Sequence, residues 1–327
     1  MKIAVLDDWQ DTIRTFPAFK KVADHDVTIW KDHSKDVNVL ADRLKDAEVV
    51  CLIRERTPIR APLIERLDKL RMITQVGVFP HVDVEAATKR GIIMSSQTGP
   101  GRPSWATAEL NWGLIIAAMR RIPQEAAALK AGKWQAYTIG SGLRGKTLGI
   151  HGYGKIGAVV AGYGKAFGMN VIVWGRESTL EKARADGYTA AASREAFFAD
   201  SDVVSLHLRL IPETRGIVTA EDLARMKPTA LIVNTSRAGL IAPGVLEAAL
   251  EAGRPGMAAV DVFEDEPVVG GAHPLLAMDN VIAVPHLGYV EYGSLSHMFE
   301  TIFDQVVAYA NGKPINVQNP EALGKRS

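Results

Sequence analysis

Cysteine is almost absent from this sequence: Cys51 is alone among 327 residues. One thiol cannot close an intrachain disulfide and is too few for a cysteine-based zinc cluster, so a disulfide scaffold is excluded. An excess of charge of one sign is missing too. Lys and Arg number 38 against 37 Asp and Glu, which leaves no global field for nucleic acid or an anionic membrane. Long hydrophobic runs are also lacking. The longest helical apolar stretch, Trp112 to Met119, falls far short of the roughly 18–20 residues that span a bilayer. At the N-terminus Asp7 and Asp8 cut the apolar run too early for a signal-peptide core. The expectation is a soluble cytoplasmic protein with no metal site.

What is present is ordinary globular composition, 47% hydrophobic and 23% charged, in a length that suits about two domains. Short β-branched runs alternate with amphipathic stretches, the pattern of parallel sheets covered by helices. In the first third the strands are expected at 2–7, 26–30, 47–53, 70–75 and 91–95. Helical patterns fall at 36–45, 62–67 and 84–89. The breaker-rich segment Thr98–Pro103 marks a boundary, and Ser104 can cap a long helix through Arg120. Pro123 can open a shorter helix that ends near Gly132. A second series then offers six strands, at 147–151, 171–174, 203–208, 230–234, 257–263 and 281–284. The fold class is therefore α/β, with two doubly wound parallel-sheet domains. An amphipathic tail runs from Tyr292 to Ala310 and stops at Asn311-Gly312.

The strongest local motif is Gly152-Tyr153-Gly154-Lys155-Ile156-Gly157. It follows an apolar strand and opens a helical pattern, the context that a dinucleotide fingerprint requires. Gly152 permits the tight turn, Gly154 lets backbone approach a pyrophosphate, and Gly157 lets the helix pack on the strand. The helix N-terminus attracts the phosphates. An NAD site usually places Asp or Glu at the end of the next strand, for the ribose hydroxyls. Here that end reads Val173-Trp174-Gly175-Arg176-Glu177-Ser178. Arg176 with Ser178 can hold a ribose 2′-phosphate in a two-point fork, which favours NADP over NAD. In the alternative, Arg176 is a solvated loop residue and Glu177 takes the hydroxyls.

Three charged residues close late strands or sit in the loops after them, where open α/β sheets bind ligands. Arg237 follows Asn234-Thr235-Ser236, Glu266 precedes Pro267, and His286 follows Val281–Pro285. Each alone has a plain structural explanation. Together, beside a nicotinamide-type fold, they make a sensible reaction centre.

Four ordered blocks carry a family resemblance: Leu148 to Gly157, Met226 to Arg237, Asp261 to Pro267, and Pro285-His286-Leu287-Gly288. With the loop Arg54–Pro58 and the final helix, the chain resembles the D-isomer-specific 2-hydroxyacid dehydrogenases over essentially its whole length. The resemblance implies a flavodoxin-like substrate domain at 1–100 and 288–327, and a Rossmann cofactor domain at 101–287. The active site would lie in the cleft between them.

It also implies roles. Arg237 would bind the carboxylate of a 2-keto acid and polarise its keto oxygen. His286 would be the acid/base, and Glu266 would hold the imidazole and favour its charged form. Asp261 would fix the nicotinamide carboxamide. His207, close to where adenine should sit, and Thr235 would join the glycine loop in holding the cofactor, NAD or NADP. Arg54 with the amides of Val76 and Gly77 would meet the substrate. Arg54, Arg56 and Arg102 could also recognise a second anionic group or simply be solvated. A homodimer through the cofactor domain is expected, acting on a small 2-keto or 2-hydroxy acid. Departures from the family pattern are Tyr289, which adds bulk after the His286 block, and Arg209 where Pro is common. A redox sensor or corepressor on the same fold, binding a nucleotide without turnover, is the competing expectation.

Overall fold

The computed structural model describes residues 1–98 and 105–324. The boundary segment beyond Thr98, with Arg102 and the expected cap Ser104, lies outside the described residues. The chain divides into two compact units, Met1–Arg102 with Tyr292–Ser327, and Pro103–Glu291.

In the first unit the apolar runs become β1 (Lys2–Val5), β2 (Asp26–Ile29), β3 (Val49–Cys51), β4 (Met72–Val76) and β5 (Ile93–Gln97). They form one parallel sheet in the order β2-β1-β3-β4-β5. β3 is buried along its whole length, as a strand covered on both faces must be. Helices α1 (Val37–Leu44), α2 (Ala61–Ile64) and α3 (Val84–Lys89) connect the strands. Asp36 starts α1 by accepting the amides of Asn38 and Val39 at 2.7 and 3.0 Å. Strand order reverses between β1 and β3, so the loops after Val5 and Cys51 stand on the ligand side of the sheet. Residues 13–15 and 17–22 form short 3-10 helices, which apolar periodicity did not single out.

The second unit opens with α4 (Trp105–Met119) and α5 (Ile122–Lys130). Then follow β6 (Thr147–His151), α6 (Lys155–Ala166), β7 (Asn170–Trp174), α7 (Glu177–Ala185), β8 (Thr189–Ala190) and α8 (Arg194–Asp200). After these come β9 (Val203–Leu206), α9 (Ala220–Arg225), β10 (Leu231–Asn234), α10 (Val245–Glu251), β11 (Met257–Val260) and β12 (Val281–Ala283). The sheet has seven parallel strands in the order β12-β11-β10-β9-β6-β7-β8. Six were expected. The seventh, β8, has two residues and is too short to show a period. The switch in strand order lies between β6 and β9, so the loops after His151 and Leu206 border the ligand crevice.

α4 packs on α6, β10 and β11, and buries Ala108, Asn111, Trp112, Leu114, Ile115, Ala118 and Met119. The last helix, α11 (Tyr292–Ala310), returns to the first unit. There Phe299 and Phe303 pack with Phe16 and Phe19. Among the described residues, no helix is long and apolar enough to cross a membrane.

Candidate active site

The glycine loop leaves β6 and enters α6. Gly152 has φ +95°, a left-handed backbone that favours glycine, and a Cβ there would meet the His207 carbonyl oxygen at 3.0 Å. A Cβ on Gly157 would stand 2.3 Å from the Gly152 carbonyl oxygen, so only glycine lets α6 start this close to the turn. Gly154 is exposed, and nothing lies within 4 Å of its absent Cβ. It is also the N-cap of α6, without a side-chain cap, and a helix N-terminus favours negative charge. This cradle fits a dinucleotide's pyrophosphate. The Tyr153 ring is buried in the core and its hydroxyl donates to Asp186 at 2.9 Å. Only its backbone can therefore serve a cofactor. Lys155 is exposed and Ile156 half-buried.

At the end of β7, Arg176 is exposed and is the N-cap of α7, again without a side-chain cap. Ser178 is exposed in the first turn of that helix. Glu177 accepts from Arg184 at 2.6 Å.

The loops after β10, β11 and β12 carry the three charged candidates. Asn234 fixes the turn at Arg237 by donating to its carbonyl at 3.0 Å. The Arg237 guanidinium donates to the Ser236 carbonyl at 2.7 Å. Glu266 takes the Phe263 amide on one oxygen at 3.0 Å and meets His286 Nδ1 with the other at 2.6 Å. The imidazole–carboxylate pair is thus formed, half-buried on both sides. His286 has φ +53°, and the Tyr289 ring stands edge-on to its imidazole at 5.6 Å.

Asp261 is fully buried behind this pair. Its two oxygens take the backbone amides of Leu287 and Gly288 at 2.5 and 2.8 Å. Thr107 of α4 donates to the Gly288 carbonyl at 2.7 Å. Burial pushes the Asp261 carboxyl up to about 6, although the two amides and His286 pull the other way. Asp261 therefore clamps the loop that carries His286, a contact that the sequence reading did not foresee.

A second feature escaped sequence reading. Asn111 of α4 is fully buried, and its amide nitrogen donates to Ser205 Oγ and to Thr235 Oγ1, both at 3.0 Å. Ser205 Oγ lies 2.9 Å from His207 Nε2. The signal available in the sequence was one amide side chain beside the apolar run that starts at Trp112. Burial pushes the His207 imidazole down to about 3, with His151 acting in the same direction.

In the first unit, the Arg54 guanidinium lies over Gly77, where a Cβ would come within 2.8 Å of it. The Gly77 amide donates to the Gln97 carbonyl at 3.1 Å, so it closes the β4–β5 ladder. Val76 ends β4, half-buried. Asp7, buried after β1, holds the Arg54–Thr57 loop by accepting from Thr57 Oγ1 at 2.7 Å. Its other oxygen meets His33 Nδ1 at 2.8 Å. The described residues contain no group of His, Cys, Asp and Glu suited to a metal ion.

A parallel sheet with a glycine turn at its switch point, and an imidazole–carboxylate pair at the strand ends, defines a nucleotide-dependent oxidoreductase class. Comparison with known proteins narrows it. Residues 112–288 match the family model described as D-isomer specific 2-hydroxyacid dehydrogenase, NAD binding domain. The chain is 36% identical over 314 residues to a glyoxylate reductase from Aeropyrum pernix, covering 92% of each protein. It is 42% identical over 251 residues to a D-3-phosphoglycerate dehydrogenase from Methanocaldococcus jannaschii, 76% of this chain but 47% of that protein. A crystal structure of a phosphoglycerate oxidoreductase from Vibrio cholerae superposes with a TM-score of 0.91 at 46% identity, covering 95% of this chain and 99% of that one. The chain belongs to the D-isomer specific 2-hydroxyacid dehydrogenase family and is an oxidoreductase with a nicotinamide cofactor.

Proposed function

We propose that this protein interconverts a short 2-keto acid and its D-2-hydroxy acid, with glyoxylate and hydroxypyruvate the first candidates. The observation that carries this reading is the 2.6 Å contact between His286 Nδ1 and Glu266. With Glu266 on Nδ1, the other ring nitrogen serves as the acid/base, giving a proton to the keto oxygen during reduction and taking it back during oxidation. Arg237 binds the substrate carboxylate in a fork and polarises the keto oxygen. Tyr289, edge-on to the imidazole, limits the bulk of the acid. The bound nicotinamide supplies or accepts the hydride. Gly152, Gly154 and Gly157, with the amides of Tyr153, Lys155 and Ile156, hold its pyrophosphate, and His207, Thr235 and Asp261 border it.

NADP is the preferred cofactor in this reading. Arg176 and Ser178 are exposed at an uncapped helix start, where a 2′-phosphate is favoured, while Glu177 is occupied by Arg184. A homodimer through the second unit is supported by its bare apolar surface. Trp134 is 78% exposed and Ile139 fully so, more than a monomer of this kind leaves uncovered without cause.

The test is oxidation of NADH and NADPH in parallel with glyoxylate, whose product glycolate is achiral and reports turnover alone, and with hydroxypyruvate, pyruvate and phosphohydroxypyruvate, whose products are resolved on a chiral column. A D-2-hydroxy acid is expected. An L-product, or cofactor binding without any turnover, overturns the reading.

A further inference from the structure

Glu266 meets His286 from a stretch with no regular structure. The described residues 261–273, between β11 and the 3-10 turn at Pro274–Ala277, form neither helix nor strand. Gly270 and Gly271 have positive φ, +68° and +70°, and nothing lies within 4 Å of their absent Cβ atoms. A glycine pair leaves such a loop conformational freedom. The geometry at Glu266 therefore depends on contacts that side chains supply.

One half-buried side chain gathers those contacts. His273 Nδ1 accepts the Leu275 amide at 3.3 Å, and Nε2 stands 3.1 Å from a Glu264 carboxylate oxygen. A backbone amide can only donate, so Nδ1 carries no proton. The neutral ring has its proton on Nε2, facing a carboxylate that accepts it. The imidazole also stands edge-on to the Phe263 ring, with centroids 5.0 Å apart. Phe263 and Leu275 are both buried in the same apolar core. One ring thus joins the start of the loop, at Phe263 and Glu264, to its end at Leu275. At that start the Phe263 amide donates to one Glu266 oxygen at 3.0 Å, while the other oxygen meets His286 Nδ1 at 2.6 Å.

We infer that His273, latched to Glu264, is a positioning residue for the acid/base pair: it closes the 264–273 loop and so fixes the turn from which Glu266 meets His286. The inference rests on the acid/base role proposed above for that pair and adds what holds it in place. Glu264 is exposed, and an exposed carboxylate contact contributes little to stability. Its effect is on geometry, since a small misplacement of a reacting group reaches the rate.

Three variants test the latch. Glu264→Ala removes its acceptor. His273→Asn keeps an oxygen that can cap the Leu275 amide but is too short to reach Glu264. Each should lower kcat about 3- to 10-fold, the range of one net hydrogen bond, with keto-acid KM and cofactor Kd changing less. Glu264→Gln, which keeps an acceptor oxygen, should recover most of the rate. Wild-type kcat in both of the first two variants overturns the inference, and so does a loss in Glu264→Gln as deep as in Glu264→Ala. A second readout needs no turnover: the ring-nitrogen chemical shifts of His286 in histidine-labelled protein, assigned by their loss in His286→Gln and read where the ring is neutral. They should report Nδ1–H in the wild type and move towards a tautomer mixture in Glu264→Ala and His273→Asn. A wild type that reduces no keto acid overturns the dehydrogenase reading, and these shifts then decide the latch by themselves. Shifts unchanged in both variants overturn it.

Discussion

His286 works from a left-handed backbone, φ +53°, a conformation that costs a non-glycine residue on the order of 1 kcal/mol. Asp261 offsets that cost by taking the next two amides. Asp261→Asn keeps the size but offers one acceptor oxygen instead of two, so one amide loses its partner. We expect kcat to fall while the protein stays folded, checked by steady-state kinetics beside circular dichroism. Glu266→Gln should likewise lower kcat more than it alters cofactor Kd, because the pair loses its charge and keeps its shape. Arg237→Lys should harm kcat/KM for the keto acid, since an ammonium cannot reproduce the guanidinium fork. Wild-type kinetics in that variant would sink the carboxylate clamp. At this scale the sequence singles out His286 and Glu266 from the loops after late strands, and the structure brings those two side chains within 2.6 Å. Asn111, Ser205 and Asp7 were opaque, because a buried polar side chain gains its meaning from partners 50 to 124 residues away.

The element that matters most is the β6–turn–α6 unit. Its glycine spacing alone gives a strand, a turn and an uncapped helix start, and all three are present. Gly157→Ala must push its methyl against the Gly152 carbonyl, and overpacking of this kind costs roughly 1–3 kcal/mol. The denaturation midpoint and cofactor affinity should fall together. At the start of α7, Arg176→Ala should weaken NADPH more than NADH, and equal losses would remove the phosphate contact. Elements that sequence pattern missed share one physical reason. β8 and the 3-10 turns at 13–22 are too short for a period, and are held by neighbours rather than by their own pattern.

Across the whole molecule, three histidines are held neutral by burial. His81 and His151 are pushed down to about 4 and His207 to about 3. In the unfolded chain they take protons near 6.5. Between 6.5 and 4 the unfolded state therefore binds more protons, and the stability that these groups contribute is lost as pH falls. Asp261 acts oppositely. Its raised value, about 6, means that the folded state binds the proton between 3.8 and 6 and gains stability there. Three groups outweigh one, so Tm should hold above pH 6.5 and decline towards pH 4. A Tm that rises over that interval contradicts this account.

The most direct measurement is keto-acid reduction by wild type and His286→Ala side by side, with cofactor Kd determined for both. The account predicts wild-type turnover, a loss of roughly 10²–10⁴ in the variant, and the same Kd. Equal rates in the two proteins, or tight cofactor binding with no turnover in either, would contradict it.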